Sequence, residues 1–97
     1  MSDQGSGIRV AAVPGADFVT QGLADLRAGI ETEAALLVSI GAPRLRRLGF
    51  DVADPFPAPE HRLYAWIARD EPDAAHGRYN ALLRRLVSFE RAWPCAR

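Results

Sequence analysis

Histidine, cysteine and arginine are the residue types in this chain with the most chemistry to offer, so their spacing is the first thing to weigh. His61 and His76 are the only histidines, and neither belongs to a His-Glu-x-x-His or comparable spacing. Asp73 and His76 lie three apart and would share a helix face, which supplies two metal ligands. Two ligands do not complete a site, and Asp73 has a simpler role beside the positive end of a helix. Cys95 follows Trp93-Pro94 with no base nearby in sequence, so nothing there activates a thiolate. Gly5-Ser6-Gly7 precedes no strand-helix unit and is not a phosphate loop. The residues therefore predict no catalytic group, no cofactor and no metal.

The cations are more informative. All twelve basic residues are Arg, and twelve Asp and Glu bring the formal charge to zero. That neutrality is a sum of unlike parts: residues 1 to 43 carry −3 and residues 44 to 97 carry +3. Arg44, Arg46, Arg47, Arg78, Arg84 and Arg85 are the candidates for phosphate contacts, because guanidinium suits that geometry. On a helical wheel, however, Arg78 and Arg85 fall at one edge of an apolar stripe, and Arg84 and Arg91 at the other. Arg stems at such borders commonly cover apolar surface while the head stays wet. The pair of helices around Gly41 also fails as a DNA reader. The second would run only from Pro43 to Leu48, too short for the major groove, and lacks Asn and Gln to read base edges.

Four further residues are candidates for a protein interface: Trp66, Phe89, Glu90 and Trp93. Trp66 and Trp93 sit at the edges of their helices' apolar faces, where core packing is the ordinary role. Tryptophan flanked by Arg is also the composition of interaction hot spots. Glu90 breaks its local rule, falling in the apolar arc among Tyr79, Leu83 and Leu86. A carboxylate there is solvated where the helix overhangs the core, is paired with an Arg from positions 44 to 47, or waits for a partner's cation.

These residues must be positioned by helices. Phe18, Val19, Leu23, Leu26 and Ile30 recur at helical spacing, predicting a helix over about 17–28, with Gly22 inside its apolar arc to let another backbone come close. Thr32 caps a second helix, with Leu36, Leu37 and Ile40 on one face and Gly41 at its end. A short third helix runs from Pro43 to Leu48, with Leu45 and Leu48 inward and Gly49 at its exit. Asp54-Pro55-Phe56-Pro57-Ala58-Pro59 is an extended connector, because alternate prolines forbid a helix. A fourth helix covers about 60–69. The strongest periodicity is the last, in which Ala75, Tyr79, Leu82, Leu83, Leu86, Phe89 and Trp93 recur from Asp73 to about Trp93, where Pro94 stops it.

The chain thus reads as all-α: one small bundle of four to five helices over residues 17–93, with a long C-terminal helix. Residues 1–16 are expected to form a flexible arm or, over 8–13, a short strand; residues 94–97 are expected to fray. At 97 residues and 48% apolar composition, the chain is an ordinary small globular domain. Its longest apolar runs fall far short of the roughly 20 residues a bilayer requires. The first residues lack a basic signal region, and one Cys forms no internal disulfide, so a cytoplasmic setting is expected. Small size and the absence of a catalytic constellation favour a protein-interaction module with a protein partner, in a hetero- or homo-oligomer. An adaptor or regulatory role, such as an antitoxin's, fits. The alternative is a nucleic-acid-associated helical domain that grips phosphates through Arg.

Overall fold

The computed structural model describes residues 13–96, and all regular structure among them is helical. The helices are α1 (Ala16–Arg27), α2 (Glu33–Ile40), α3 (Ala42–Arg47), α4 (Pro59–Asp70) and α5 (Ala75–Ala96). None of them is long and apolar enough to cross a membrane. The strand or arm expected over 8–13 lies outside the described residues apart from Val13. That residue is not part of an arm: its side chain is in the core, and its carbonyl accepts a hydrogen bond from the Ala16 amide.

The centre of the molecule is α2. Ala34 to Ser39 are six successive buried residues, so this helix is enclosed on every side instead of being amphipathic. A helix apolar all round belongs in a core, and here α1, α3, α4 and α5 all pack on it. Thr32 starts it as expected. Its Oγ1 accepts from the Ala35 amide at 3.1 Å and donates to Asp25 of α1 at 2.8 Å.

Between α1 and α2 the backbones come into direct contact. A β-carbon placed on Gly22 would fall on the Ala34 carbonyl oxygen and within 2.5 Å of Val38 Cγ2. The turns that follow α1 and α3 are both set by glycine. Gly29 (φ 75°) donates to the Leu26 carbonyl while Ile30 donates to Asp25; Gly49 (φ 102°) donates to Arg46 while Phe50 donates to Leu45. These are Schellman closures, in which a left-handed residue satisfies the last carbonyls of a helix. The first one corrects the placement of Ile30. The helical phase ends before it, and its side chain is 53% exposed instead of inward.

The proline-rich connector is held by two side chains. Ser39 Oγ donates to the Ala35 carbonyl at 2.8 Å and accepts from the Phe56 amide at 3.2 Å. Prolines 55 and 57 on either side of Phe56 offer no N–H of their own, so this is the donor the segment has available. Arg46 donates to the carbonyls of Val52 and Ala53. The connector then delivers α4, whose Leu63 and Ile67 are buried.

Along α5, Ala75, Leu82, Leu86 and Phe89 face the core. The helix also differs from expectation at its end, continuing through Pro94 to Ala96. Proline there forgoes only the bond to the Glu90 carbonyl, in a last turn with little helix left to disrupt.

Two substitutions test this packing by chemical denaturation. Gly22→Ala forces α1 off α2 and is expected to lower stability by about 1–3 kcal/mol. Ser39→Ala leaves the Phe56 amide without its acceptor and is expected to lower it by about 1–2 kcal/mol.

Candidate functional site

The arginines sort into two groups once their partners are known. Arg27 pairs with Asp51, Arg62 with Glu31, and Arg78 with Glu33 at 2.7 Å and Glu71 at 3.7 Å. Arg46 holds the connector. Arg69 lies over the Trp66 ring at 4.7 Å, and Arg85 over Phe18 at 4.5 Å. The side chains of Arg44, Arg47, Arg84 and Arg91 make no hydrogen bond, ion pair or ring contact among the described residues. All four are exposed.

Those four line one face. Ile40, Gly41, Pro43, Arg44 and Arg47, at the corner between α2 and α3, stand opposite Leu83, Leu86, Val87 and Glu90 of α5 across an open depression of about 410 Å³. A second shallow depression shares the Leu83–Val87 ridge and is bordered by Asn80, Arg84, Ser88 and Arg91. Val87 stands on that ridge with 42% of its surface exposed, one of three exposed large hydrophobic residues among the described residues. The face is therefore an apolar ridge with guanidinium groups on both flanks. Such a surface receives carboxylates or phosphates at its rim and apolar side chains along its middle.

Glu90 lies at the floor of the α3–α5 depression. It is only 8% exposed, so the helix end does not overhang the core at this position. Its Oε2 covers the α2–α3 junction: a β-carbon on Gly41 would be 2.9 Å from that oxygen and 3.0 Å from Leu86 Cδ2. No ion pair reaches the carboxylate among the described residues. Burial pushes its pKa above the ordinary value of 4.5, and the positive charge of Arg44 only partly opposes this.

The other sequence candidates are dispersed. Phe89 is 1% exposed and is a core residue, not an interface residue. It stacks on Trp93 at 5.8 Å, and Phe50 packs against both rings. Trp93 is half-buried in this cluster, and its indole N–H is enclosed with no acceptor among the described residues. Trp66 belongs to the other end of the molecule. It borders a small cleft with Glu33, Asp70, Glu71 and Arg78. Arg78 and Trp93 are fifteen residues apart on α5, about 22 Å along the axis, so the two tryptophans form no common patch.

The phosphate set is divided in the same way. Arg46, Arg78 and Arg85 have their guanidinium groups engaged within the fold, while Arg44, Arg47 and Arg84 share the open face. Asp73, His61 and His76 are exposed; His76 Nε2 is 3.2 Å from the Asn80 side-chain amide. No group of three potential metal ligands occurs among the described residues. Cys95 is exposed near the end of α5.

Val87 and Arg91 were not singled out from sequence as interface residues, although the wheel places Arg84 and Arg91 on one edge of α5. What the wheel lacks is the docking of α3, which brings Arg44 and Arg47 to that same edge.

The buried carboxylate gives a pH signature. In the unfolded chain Glu90 ionises near its ordinary value, whereas in the fold it holds its proton to higher pH. Its contribution to stability is therefore lost as pH rises from the unfolded value through the folded one. Glu90→Gln is expected to melt at a higher temperature than the native chain at pH 7. The two melting temperatures converge as pH drops below the ordinary carboxylate range. Thermal melts followed by circular dichroism across pH 4–8 check this, and parallel curves would refute it.

Comparison with models of known protein families, with curated protein sequences and with solved structures finds no match for this chain.

Proposed function

We propose that the protein is a small binding module, adaptor or regulatory in role, that docks another protein on the face between α3 and α5. One observation carries this reading. The four described arginines whose side chains make no hydrogen bond, ion pair or ring contact all border the same exposed apolar ridge. Arginine around a central hydrophobic residue is a composition enriched in protein interfaces. The ridge also argues against a surface that is only solvated, since isolated charges need no shared apolar centre. The one cysteine, exposed, fits a reducing compartment, and we place the protein in the cytoplasm on that basis.

A phosphate-gripping role uses the same unpaired guanidinium groups but leaves the ridge without a purpose. It also loses half of its six candidate arginines to contacts within the fold. Salt separates the two: a phosphate binder weakens by orders of magnitude between low and moderate ionic strength.

Affinity capture from the native cell with the wild-type chain, Val87→Asp and Arg84→Glu tests the proposal. Both side chains are exposed, so helicity and melting temperature should not change. The expected outcome is a protein retained at physiological salt by the wild type and reduced at least tenfold by either variant. Equal retention by all three chains, or recovery of nucleic acid alone, would refute it.

A further inference from the structure

We infer that the α3–α5 face takes an acidic amphipathic helix from its partner, an inference that rests on the protein-binding reading above. Charge complementarity selects the sign. Arg44, Arg47, Arg84 and Arg91 flank the ridge, and Glu90 is the only acid lining it among the described residues. Four arginines against one glutamate leave the face with a formal charge of +3, within a chain that is neutral as a whole.

Secondary structure selects the shape. Peptides are commonly bound as an added strand, as a polyproline helix or as an α-helix in a groove. No strand occurs among the described residues, so no sheet edge is offered for strand addition. Polyproline helices dock on aromatic-lined grooves, and neither depression on this face is lined by an aromatic ring. An apolar ridge on α5, beside the depression it shares with the α2–α3 corner, matches the third mode. The α5 part of the face runs from position 80 to position 91, about 16 Å of helix axis, or three turns of a bound helix.

A second copy of this chain is a poor occupant. In a two-fold contact each patch meets itself, which would set the four arginines of one copy against those of the other. A bound helix would instead place apolar residues at i, i+3, i+4 and i+7 along Val87 and Leu83, with Asp or Glu on both flanks reaching the guanidinium groups.

The test is selection from a displayed library of helical peptides with apolar residues at varied spacing and Asp, Glu, Lys or Gln elsewhere. The immobilised target is the full chain. The expected binders carry acids beside an i, i+3, i+4, i+7 apolar stripe and weaken about tenfold against Val87→Asp. Arg84→Glu is also expected to weaken them, with binding restored when a peptide acid is changed to Lys. A charge swap of that kind separates pairing from misfolding, and circular dichroism of each variant checks the fold.

Acidic binders with no helical spacing, but still sensitive to Val87→Asp, would overturn the helix while leaving the protein-binding face intact. Binders indifferent to Val87→Asp and Arg84→Glu would overturn both readings. Failure to enrich any peptide, or binding only by a single-stranded oligonucleotide with steep salt dependence, would likewise overturn the inference.

Discussion

The fold depends on how closely other chain segments can approach α2. An eight-residue helix has too little length to contribute much stability by itself, so its worth lies in being surrounded. Gly22 makes the first approach possible, because the Ala34 carbonyl occupies the space where a side chain would be. The alanines at 34, 35 and 42 and the serine at 39 continue the same theme of small residues at the centre. Glycine in the middle of α1 costs about 1 kcal/mol of helix propensity relative to alanine. Backbone-to-backbone packing against a fully buried helix offsets that loss.

Burying α2 on all sides also explains the polar details that ring it. Thr32 caps its start and ties it to Asp25, while Ser39 near its end ties it to the connector. The ion pairs Arg62–Glu31 and Arg78–Glu33 sit at its N-terminal end and fasten α4 and α5 there. Such partly exposed pairs contribute little stability each. They do fix which arginines are unavailable for anything else, and among the described residues that allocation leaves the unengaged guanidinium groups on the α3–α5 face.

Much of the helical frame was legible in the sequence because it rests on local physics. Caps and closures at Thr32, Gly29, Gly41 and Gly49, and the apolar period of α5, depend on neighbours within a few residues. Gly22 was legible too, since a glycine in an apolar arc implies a close neighbour. The centrality of α2 was not, because a short apolar run carries no period that distinguishes one buried face from four. Phe89, Trp93 and Glu90 were assigned by angle on a wheel, which cannot say that Phe50 arrives to enclose the first two. Nor can it say that the α2–α3 corner covers the third. The open face escaped for the same reason: it is assembled from α3 and α5, forty residues apart in the chain.

Gly41 links the core to the surface. It ends α2 and begins α3, and its lack of a side chain lets Leu86 and the Glu90 carboxylate lie directly on that corner. A residue with a β-carbon there would displace the Glu90 carboxylate and the Leu86 methyl groups from that corner. The same absence draws a carboxylate into a place where no cation meets it, which has no benefit for stability. Glu90 does affect what the face presents. Ionised, it offsets one of the four rim charges and repels a carboxylate entering the floor; neutral, it leaves the rim charge whole. In the proposed complex an ionised Glu90 would send acidic groups to the flanks and leave the middle to apolar side chains along Val87. A polyanion with charge along its whole length meets no such division, whereas an amphipathic helix has it built into its sequence.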